Sequence, residues 1–335
     1  MGTPQTPDGH FRRGPCPDDR AGYGRVVPVF AIVAPGQGAQ KQGFLAPWLE
    51  IDAVARHVDE LRAACGLDLV THGRDSDDDT IRDTAVAQPL LVGAALATAR
   101  ALGAPADCLA GHSVGELAAA ALAGVLTDEE AMRLVAVRGR AMAQAASRTP
   151  TSMTAVLGGD PDEVLAAIEH AGLTAANHNG RGQVVAAGTR EQLDQLAQDP
   201  PRRARLVPLS VAGAFHTVHM EPAVDAMRAE ADTLHPADPQ VPLVSNADGA
   251  VVARGADVLE RLVAQVAHPV RWDRCMAAFA ELGVTGVLEL APAGTLAGIV
   301  RRNLRGVETF TLDSPDQLDE ARAFADTHRG REEAR

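Results

Sequence analysis

Apolar and polar positions follow one another along this chain in a pattern typical of alternating strands and helices. Residues 26–40, VVPVFAIVAPGQGAQ, are an apolar, β-rich run that ends in a Pro-Gly-Gln-Gly turn, as a buried strand opening into a loop would. Residues 85–103 read as a helix, with Pro89 near its first turn. Residues 107–126, DCLAGHSVGELAAAALAGVL, predict a strand, a tight turn and a helix. This alternation favours a parallel sheet covered on both faces.

The pattern changes at residue 151. A strand, a helix capped by Asp160, two short strands around a Gly-Arg-Gly turn, a second helix and a closing strand follow within about 60 residues. This β-α-β-β-α-β order is that of a ferredoxin-like module. After this module the earlier alternation of strands and helices resumes, so the module is predicted to be an insertion in a larger α/β domain. The predicted divisions are a disordered leader at 1–25, a large catalytic domain at 26–150 and 211–320, a small subdomain at 151–210, and a tail at 321–335.

Composition and charge narrow the class of protein. The chain has 335 residues, of which 46% are hydrophobic and only 3% aromatic, so Ala, Val and Leu are expected to build its core. A net charge of −13 argues against nucleic-acid binding, which needs a basic surface. The four cysteines form no Cys-x-x-Cys pair, as expected of reduced thiols in the cytoplasm. No run approaches the about 18 to 20 apolar residues of a membrane span.

A Gly-x-Ser-x-Gly pentapeptide, Gly111 to Gly115, lies at the predicted strand-to-helix turn. At such a turn the serine is held in a strained conformation, and only glycines two positions away let the neighbouring chain pass. The hydroxyl of Ser113 is then exposed at the carboxyl edge of the sheet. The helix that follows points its free N–H groups at the site, that of Val114 first, where they can stabilise an oxyanion.

A serine nucleophile needs a base, and residues 209–222, LSVAGAFHTVHMEP, offer two histidines. His216 follows an apolar strand and a glycine-containing turn and is the candidate base, although a core histidine would fit the same pattern. His219 lies one helical turn further on and is expected to cap or to face solvent. The pair has the i, i+3 spacing of metal ligands, but no third ligand cluster accompanies it, so no metal site is predicted. His112 is expected to pack locally beside the nucleophile, with a competing base as the alternative.

The loop APGQGAQ at 34–40 lacks the Gly-Lys-Ser/Thr ending of a phosphate-binding loop and contains no Gly-x-Gly-x-x-Gly. A plain tight turn would fit it. Its position after the first strand suits it better to supply a second oxyanion donor, the backbone N–H of Gln37.

Several motifs in one order carry a resemblance over about residues 28–315. They are Pro35-Gly36-Gln37-Gly38, Gln88-Pro89, Gly111 to Glu116, Arg138-Gly139 followed by Met142, Asn177 with Asn179, Gly213 to His216, and Pro269 to Trp272. Together they resemble the malonyl-CoA:acyl carrier protein transacylase family, which is related to the acyltransferase domains of polyketide synthases. The sequences of the APGQGAQ and VAGAFHTVHM segments are similar to those of the stand-alone actinobacterial members.

The resemblance implies an α/β fold with a large α/β-hydrolase-like domain, built on a short parallel sheet, and an inserted ferredoxin-like (βαββαβ) subdomain. It implies that Ser113 attacks malonyl-CoA while His216 takes its proton, and that the N–H groups of Gln37 and Val114 hold the oxyanion. The malonyl group then passes from Ser113 to the thiol of a holo acyl carrier protein in a ping-pong reaction. Backbone carbonyls orient the histidine, no cofactor takes part, and a cytoplasmic monomer is expected.

The resemblance also assigns the substrate site. Arg138 matches the arginine that pairs with the free malonyl carboxylate, and Phe215 would crowd a methyl branch on the acyl group. The other residues assigned to substrate binding are Gln88, His112, Met142, Asn177 and Asn179. His178 and His268 stand where the family pattern leads us to expect asparagine.

Three other functions stay open from the sequence. One is transfer of a different acyl unit by a trans-acting polyketide acyltransferase, and a second is a serine thioesterase, although Arg138 argues against the neutral acyl chains that a thioesterase prefers. The third is a non-catalytic partner of a carrier protein, against which the presence of Ser113, His216 and Arg138 argues. Because a carrier protein is acidic, its docking requires a local basic patch on this acidic chain. The densest candidates are residues 201–205 and 301–305.

Overall fold

The structure is a computed structural model that describes residues 28–329. The predicted leader at 1–25 therefore lies outside the described residues. The central sheet of the protein has five strands, all paired in parallel, in the order β7-β2-β1-β8-β9. The strands are β1 (Val29–Ala34), β2 (Cys108–Gly111), β7 (Leu243–Val244), β8 (Val284–Glu289) and β9 (Glu308–Thr311).

Strand β1 lies in the middle of this sheet, and its side chains alternate between two cores. Phe30, Ile32 and Ala34 point into the larger core, whereas Ala31 and Val33 point into the smaller one. The register places Ala34 beside Gly111, so β1 and β2 end at the same edge. Loops that leave this carboxyl edge are where open α/β sheets bind their ligands.

Helices cover both faces. They are α1 (Ala46–Leu49), α2 (Asp52–Cys65), α3 (Leu69–Arg74), α4 (Asp78–Arg82), α5 (Thr84–Leu102), α6 (Gly115–Leu122), α7 (Asp128–Ala146), α10 (Glu221–Ala231), α11 (Gly255–Ala264), α12 (Trp272–Glu281), α13 (Thr295–Asn303) and α14 (Leu318–His328). Helices α12 and α13 pack on the smaller core, and most of the others on the larger. The sheet covered on both faces confirms the predicted α/β class.

The long helix α5 crosses the larger core. It is capped by Asp83, whose side chain accepts from the N–H of Ala85, and Pro89 lies inside the helix rather than in its first turn. It is the one helix among residues 28–329 that is long and apolar enough to span a membrane, but 78% of its apolar window is buried in the protein. Its composition therefore reflects its place in the core.

A second sheet of four antiparallel strands has the order β4-β5-β3-β6. Its elements are β3 (Thr151–Gly158), α8 (Pro161–His170), β4 (Thr174–His178), β5 (Gln183–Thr189), α9 (Arg190–Gln198) and β6 (Ala204–Pro208). Asp160 caps α8 as predicted, by accepting from the N–H groups of Asp162 and Glu163. A separate small core, including Val156 and Ile168, lies under this sheet.

The tail predicted from residue 321 is wrong in its starting point. Helix α14 runs to His328, with Ala321 and Ala325 buried, because Phe324 packs edge-on to Phe30 at 6.1 Å between ring centroids. The short helices α1, α3 and α4, the longer helix α2 and the edge strand β9 are further elements that the sequence pattern did not predict.

Candidate active site

Ser113 lies in the turn between β2 and α6, as the pentapeptide predicted, with a backbone φ of 54°. The flanking glycines are required by close backbone contacts. A Cβ added to Gly111 would lie 2.0 Å from the carbonyl oxygen of Gly115, and one added to Gly115 would lie 2.3 Å from that of Ala34. The turn therefore forces the serine into the left-handed region at the carboxyl edge of the sheet.

His216 meets the serine from a different loop. Its Nε2 lies 2.7 Å from the Ser113 Oγ, and its Nδ1 lies 2.8 Å from the backbone carbonyl oxygen of Gln265. A carbonyl can only accept, so Nδ1 carries the proton and Nε2 is free to accept the proton of the serine. Burial and then the charge of Arg138 lower the pKa of His216 to about 3, which keeps the imidazole neutral.

Arg138, on α7, is a buried cation that faces the serine. It is 1% exposed, and its guanidinium donates to Gln88 Oε1 and to Gln265 Oε1, each at 2.8 Å, and to Ser113 Oγ at 3.4 Å. Burial lowers its pKa to about 10, so it stays charged near neutral pH. Within residues 28–329 no carboxylate oxygen lies within 4.0 Å of its nitrogens. The hydrogen-bond partners of the guanidinium are therefore neutral groups. Its positive charge is left unpaired, as in a site that binds an anion.

Val114 follows Ser113 directly in the chain, and Gln37 lies in the loop after β1, whose end adjoins that of β2. The loop of Gln37 packs on the turn at residues 111–115, here called the elbow, since a Cβ added to Gly36 would lie 2.8 Å from the carbonyl oxygen of His112. The Gln37 side chain is held by Thr84 Oγ1 at 3.4 Å. In the described part of the chain, the backbone N–H groups of Gln37 and Val114 donate to no protein acceptor. Both donors are therefore free for a ligand.

His112 is held by Asn179 and Trp272. Its Nε2 lies 2.9 Å from Asn179 Oδ1, its ring packs edge-on to Trp272 at 5.7 Å, and burial lowers its pKa. The hydrogen bond to Asn179 accounts for the local packing predicted for His112. Because an amide oxygen can only accept, Nε2 carries the ring proton. Asn177, on β4, leaves its Oδ1 buried with no protein partner among the described residues.

The remaining predicted residues lie around Arg138 and His216. Gln88 donates from Nε2 to Met142 Sδ at 3.5 Å while its Oε1 accepts from Arg138, so Met142 helps to orient the amide. Phe215 is buried in the larger core directly before His216. The side chain of His268 is exposed and turns back to the Ala264 carbonyl oxygen at 2.8 Å.

Two buried polar residues of the site were missed by sequence reasoning. Asn246, after β7, accepts from the backbone N–H of Ser113 with Oδ1 and donates to the Gly111 carbonyl with Nδ2, each at 2.7 Å. Gln265, in a 3₁₀ turn after α11, contacts both Arg138 and His216. The available signal was a polar residue directly after an apolar strand or helix at the predicted carboxyl edge. No group of three or more potential metal ligands occurs among residues 28–329.

Most of the chain is similar to known acyl transferases. The family model described as "Acyl transferase domain" matches residues 31–327. A malonyl CoA-acyl carrier protein transacylase of Mycobacterium bovis is 47% identical over 298 residues, which cover 87% of this chain and 99% of that protein. The crystal structure of MCAT from Mycobacterium tuberculosis superposes with a TM-score of 0.85 at 47% identity, covering 88% of this chain and 99% of the other.

A third relative is a malonyl-transacylase solved in complex with its type II PKS acyl-carrier protein, with a TM-score of 0.82 and 30% identity over 88% of this chain and 99% of the other. These matches extend over nearly the full length of the relatives, and their names agree. The chain belongs to the malonyl-CoA:acyl carrier protein transacylase family, within the acyl transferases.

Proposed function

We propose that the chain transfers a malonyl group from malonyl-CoA to the phosphopantetheine thiol of an acyl carrier protein, through a malonyl ester on Ser113. The observation that carries this proposal is the buried guanidinium of Arg138, which among residues 28–329 donates only to the serine hydroxyl, at 3.4 Å, and to the side-chain oxygens of Gln88 and Gln265. A buried cation beside a nucleophile favours an acyl group that ends in a carboxylate, which its planar fork can grip at two points.

In the first half-reaction the Ser113 oxygen attacks the thioester carbon and its proton moves to His216 Nε2. The carbon–sulfur bond then breaks, and His216 returns the proton to the departing coenzyme A sulfur. The Nδ1–H of His216 stays on the carbonyl of Gln265, which fixes the ring plane without an acidic third member. The product is a malonyl ester on the serine.

In the second half-reaction the thiol of the carrier protein loses its proton to His216 Nε2 and its sulfur attacks the ester carbon. The ester bond to Ser113 breaks, and the serine oxygen recovers the proton. During both steps the free N–H groups of Gln37 and Val114 are placed to stabilise the negative charge on the carbonyl oxygen. The chemistry needs no cofactor or metal.

The carrier protein is proposed to dock beside the second sheet. A groove of about 560 Å³ there is lined by residues that include His178, Arg181 and Arg271. Arg302, at the end of α13, donates to Gln183 at the edge of this groove at 3.0 Å, and Arg301 next to it is also exposed. Arg181, Arg301 and Arg302 offer an acidic partner a local basic surface on a chain whose net charge is −13, whereas Arg271 is paired with Asp273 at 2.7 Å.

The division of the chain is proposed on the same basis. The parallel sheet supports an α/β-hydrolase-like domain at 26–150 and 211–320, and the strand order β4-β5-β3-β6 with its two helices supports a ferredoxin-like subdomain at 151–210. A cytoplasmic monomer is also proposed, as membership of the transacylase family implies.

Single-turnover transfer tests the proposal. The protein is incubated with radiolabelled malonyl-CoA, separated from free nucleotide, and then mixed with holo acyl carrier protein. Label that stays on the protein and then moves to the carrier protein is the expected result. Free malonate in place of labelled protein would indicate a thioesterase, and no turnover would contradict the choice of acyl group.

A further inference from the structure

Glu116 is a buried carboxylate that the proposed reaction does not use. It lies in the first turn of α6, three residues after Ser113, and is 2% exposed. Its Oε1 accepts from the backbone N–H of Asn246 at 3.1 Å, and its Oε2 accepts from Gln265 Nε2 at 2.5 Å. Each oxygen therefore faces a donor, and the two donors belong to the residues that contact Ser113, His216 and Arg138.

The orientation of the Gln265 amide is fixed mainly by this contact, with a longer one from Nε2 to Asn246 Oδ1 at 3.3 Å. An amide has one accepting end and one donating end, whereas a carboxylate only accepts. With Nε2 held by Glu116, the Oε1 of Gln265 faces Arg138 at 2.8 Å. In the flipped orientation the amide N–H₂ would face the guanidinium, and two donors would oppose each other.

The same contact balances charge. Arg138 and Glu116 are both buried, and the Gln265 amide lies between them as a polar bridge. A buried charge without a compensating partner is strongly unfavourable. Through the bridge, Glu116 compensates the cation and leaves the face of Arg138 near Ser113 open to the substrate.

We propose that Glu116 is a positioning residue for the transfer reaction: by accepting from Gln265 it fixes the amide that orients Arg138 toward the acyl carboxylate. This inference rests on the proposed role of Arg138. Glutamine at position 116 could not replace the carboxylate, because one of its two ends would present an N–H₂ group to Gln265 or to Asn246.

The experiment compares Glu116→Gln with the parent by two rates. One is malonylation of Ser113 by malonyl-CoA, which requires Arg138; the other is labelling of Ser113 by an uncharged fluorophosphonate, which does not. The variant is expected to lose about tenfold to a hundredfold in malonylation, mostly through a raised KM, and to keep its labelling rate within about threefold. Glu289→Gln is the control, since Glu289 is wholly buried but holds only backbone N–H groups of α13 and its approach, those of Gly294, Leu296 and Ala297.

A double-mutant cycle separates positioning from general support. Because Glu116 acts through Arg138, adding Glu116→Gln to Arg138→Ala is expected to lower malonylation by less than about twofold further. Equal losses in malonylation and fluorophosphonate labelling, additive losses in the cycle, or no loss at all would each overturn the inference. Failure of the parent to be malonylated would instead refute the proposed function itself.

The parent protein provides the same test without substitution, in case Glu116→Gln does not fold. Burial raises the pKa of Glu116 to about 7, so acidification converts its carboxylate to a neutral acid with one donating end. The charged and titratable groups that act on it are Arg261, Arg138 and the Cys275 thiol, whose charge states do not change between about pH 5.5 and about pH 8.5.

Protonation of His216 would lower both rates by the same factor, because both reactions use it as the base. It would therefore leave their ratio unchanged. The ratio of malonylation to fluorophosphonate labelling is therefore expected to fall as the pH falls through about 7. A ratio that is constant over this range would overturn the inference.

Discussion

Ser113 and His216 are both held in the left-handed region of backbone conformation, at φ of 54° and 62°, and their side chains meet at 2.7 Å. Only one other residue among the described non-glycines, Arg203, has a positive φ. Left-handed conformations are unfavourable for residues with a Cβ and persist where the surrounding structure enforces them. The backbone contacts that hold them are those of Gly111 and Gly115 on one side and the hydrogen bond from the His216 N–H to the Val266 carbonyl oxygen, at 3.1 Å, on the other.

The elbow should not tolerate a methyl group. Gly111→Ala would place a Cβ 2.0 Å from the Gly115 carbonyl oxygen, and the backbone must shift to relieve the clash. We expect a loss of about 2–4 kcal/mol in the free energy of unfolding, measured by urea denaturation, and loss of Ser113 acylation. Gly298→Ala is the control, since its nearest neighbouring atom would be 3.7 Å away, and it should leave both unchanged or slightly raise the stability.

Arg138 should determine the preference for carboxylated acyl groups. Arg138→Ala removes the only buried cation that contacts Ser113 within residues 28–329. The kcat/KM for malonyl-CoA should fall on the order of a hundredfold or more, while that for acetyl-CoA should not fall. Arg133→Ala is a matched control on the same helix, because Arg133 is partly exposed and pairs with Glu230. A parallel fall for both substrates would refute the carboxylate grip.

The base should remain active in mild acid. Because the pKa of His216 is lowered to about 3, its Nε2 stays unprotonated at pH values well below the ordinary pKa of 6.5. It can therefore still accept the proton of Ser113. The rate of Ser113 labelling by the uncharged fluorophosphonate should therefore be level from about pH 8 down to about pH 5. A fall centred near 6.5 would show that His216 titrates as an exposed histidine does.

Charge at the end of α13 should affect only the second substrate. Reversing Arg301 and Arg302 to Glu is expected to raise the apparent KM for the carrier protein several-fold, with an effect that weakens at high salt. The KM for malonyl-CoA should stay the same. Equal changes in both constants would rule out a docking role specific to the carrier protein.

The features that could be predicted from the sequence are those formed by residues that are contiguous in the chain. The turn that carries Ser113 was found because strand, Gly-x-Ser-x-Gly and helix are contiguous, and His216 was found because it follows an apolar run and a glycine-containing turn, although the strand before it, β6, belongs to the second sheet. Asn246 and Gln265 were missed because each contributes one polar side chain from a loop far along the chain, 133 and 127 residues from its partner Ser113 or Arg138. Their role depends on tertiary contacts, which no local spacing encodes. The start of the tail was misplaced for the same reason, since α14 is held by aromatic contacts with β1 and β9.

The most direct test of the central claim is to locate the malonyl group on the protein. The chain is incubated with malonyl-CoA alone, quenched in acid, digested and analysed by mass spectrometry, with Ser113→Ala in parallel. The mass of one malonyl group on the peptide that contains Ser113, absent in the variant and lost on addition of holo acyl carrier protein, is the predicted result. Malonylation that persists in Ser113→Ala, or release of malonate without a labelled peptide, would contradict transfer through this serine.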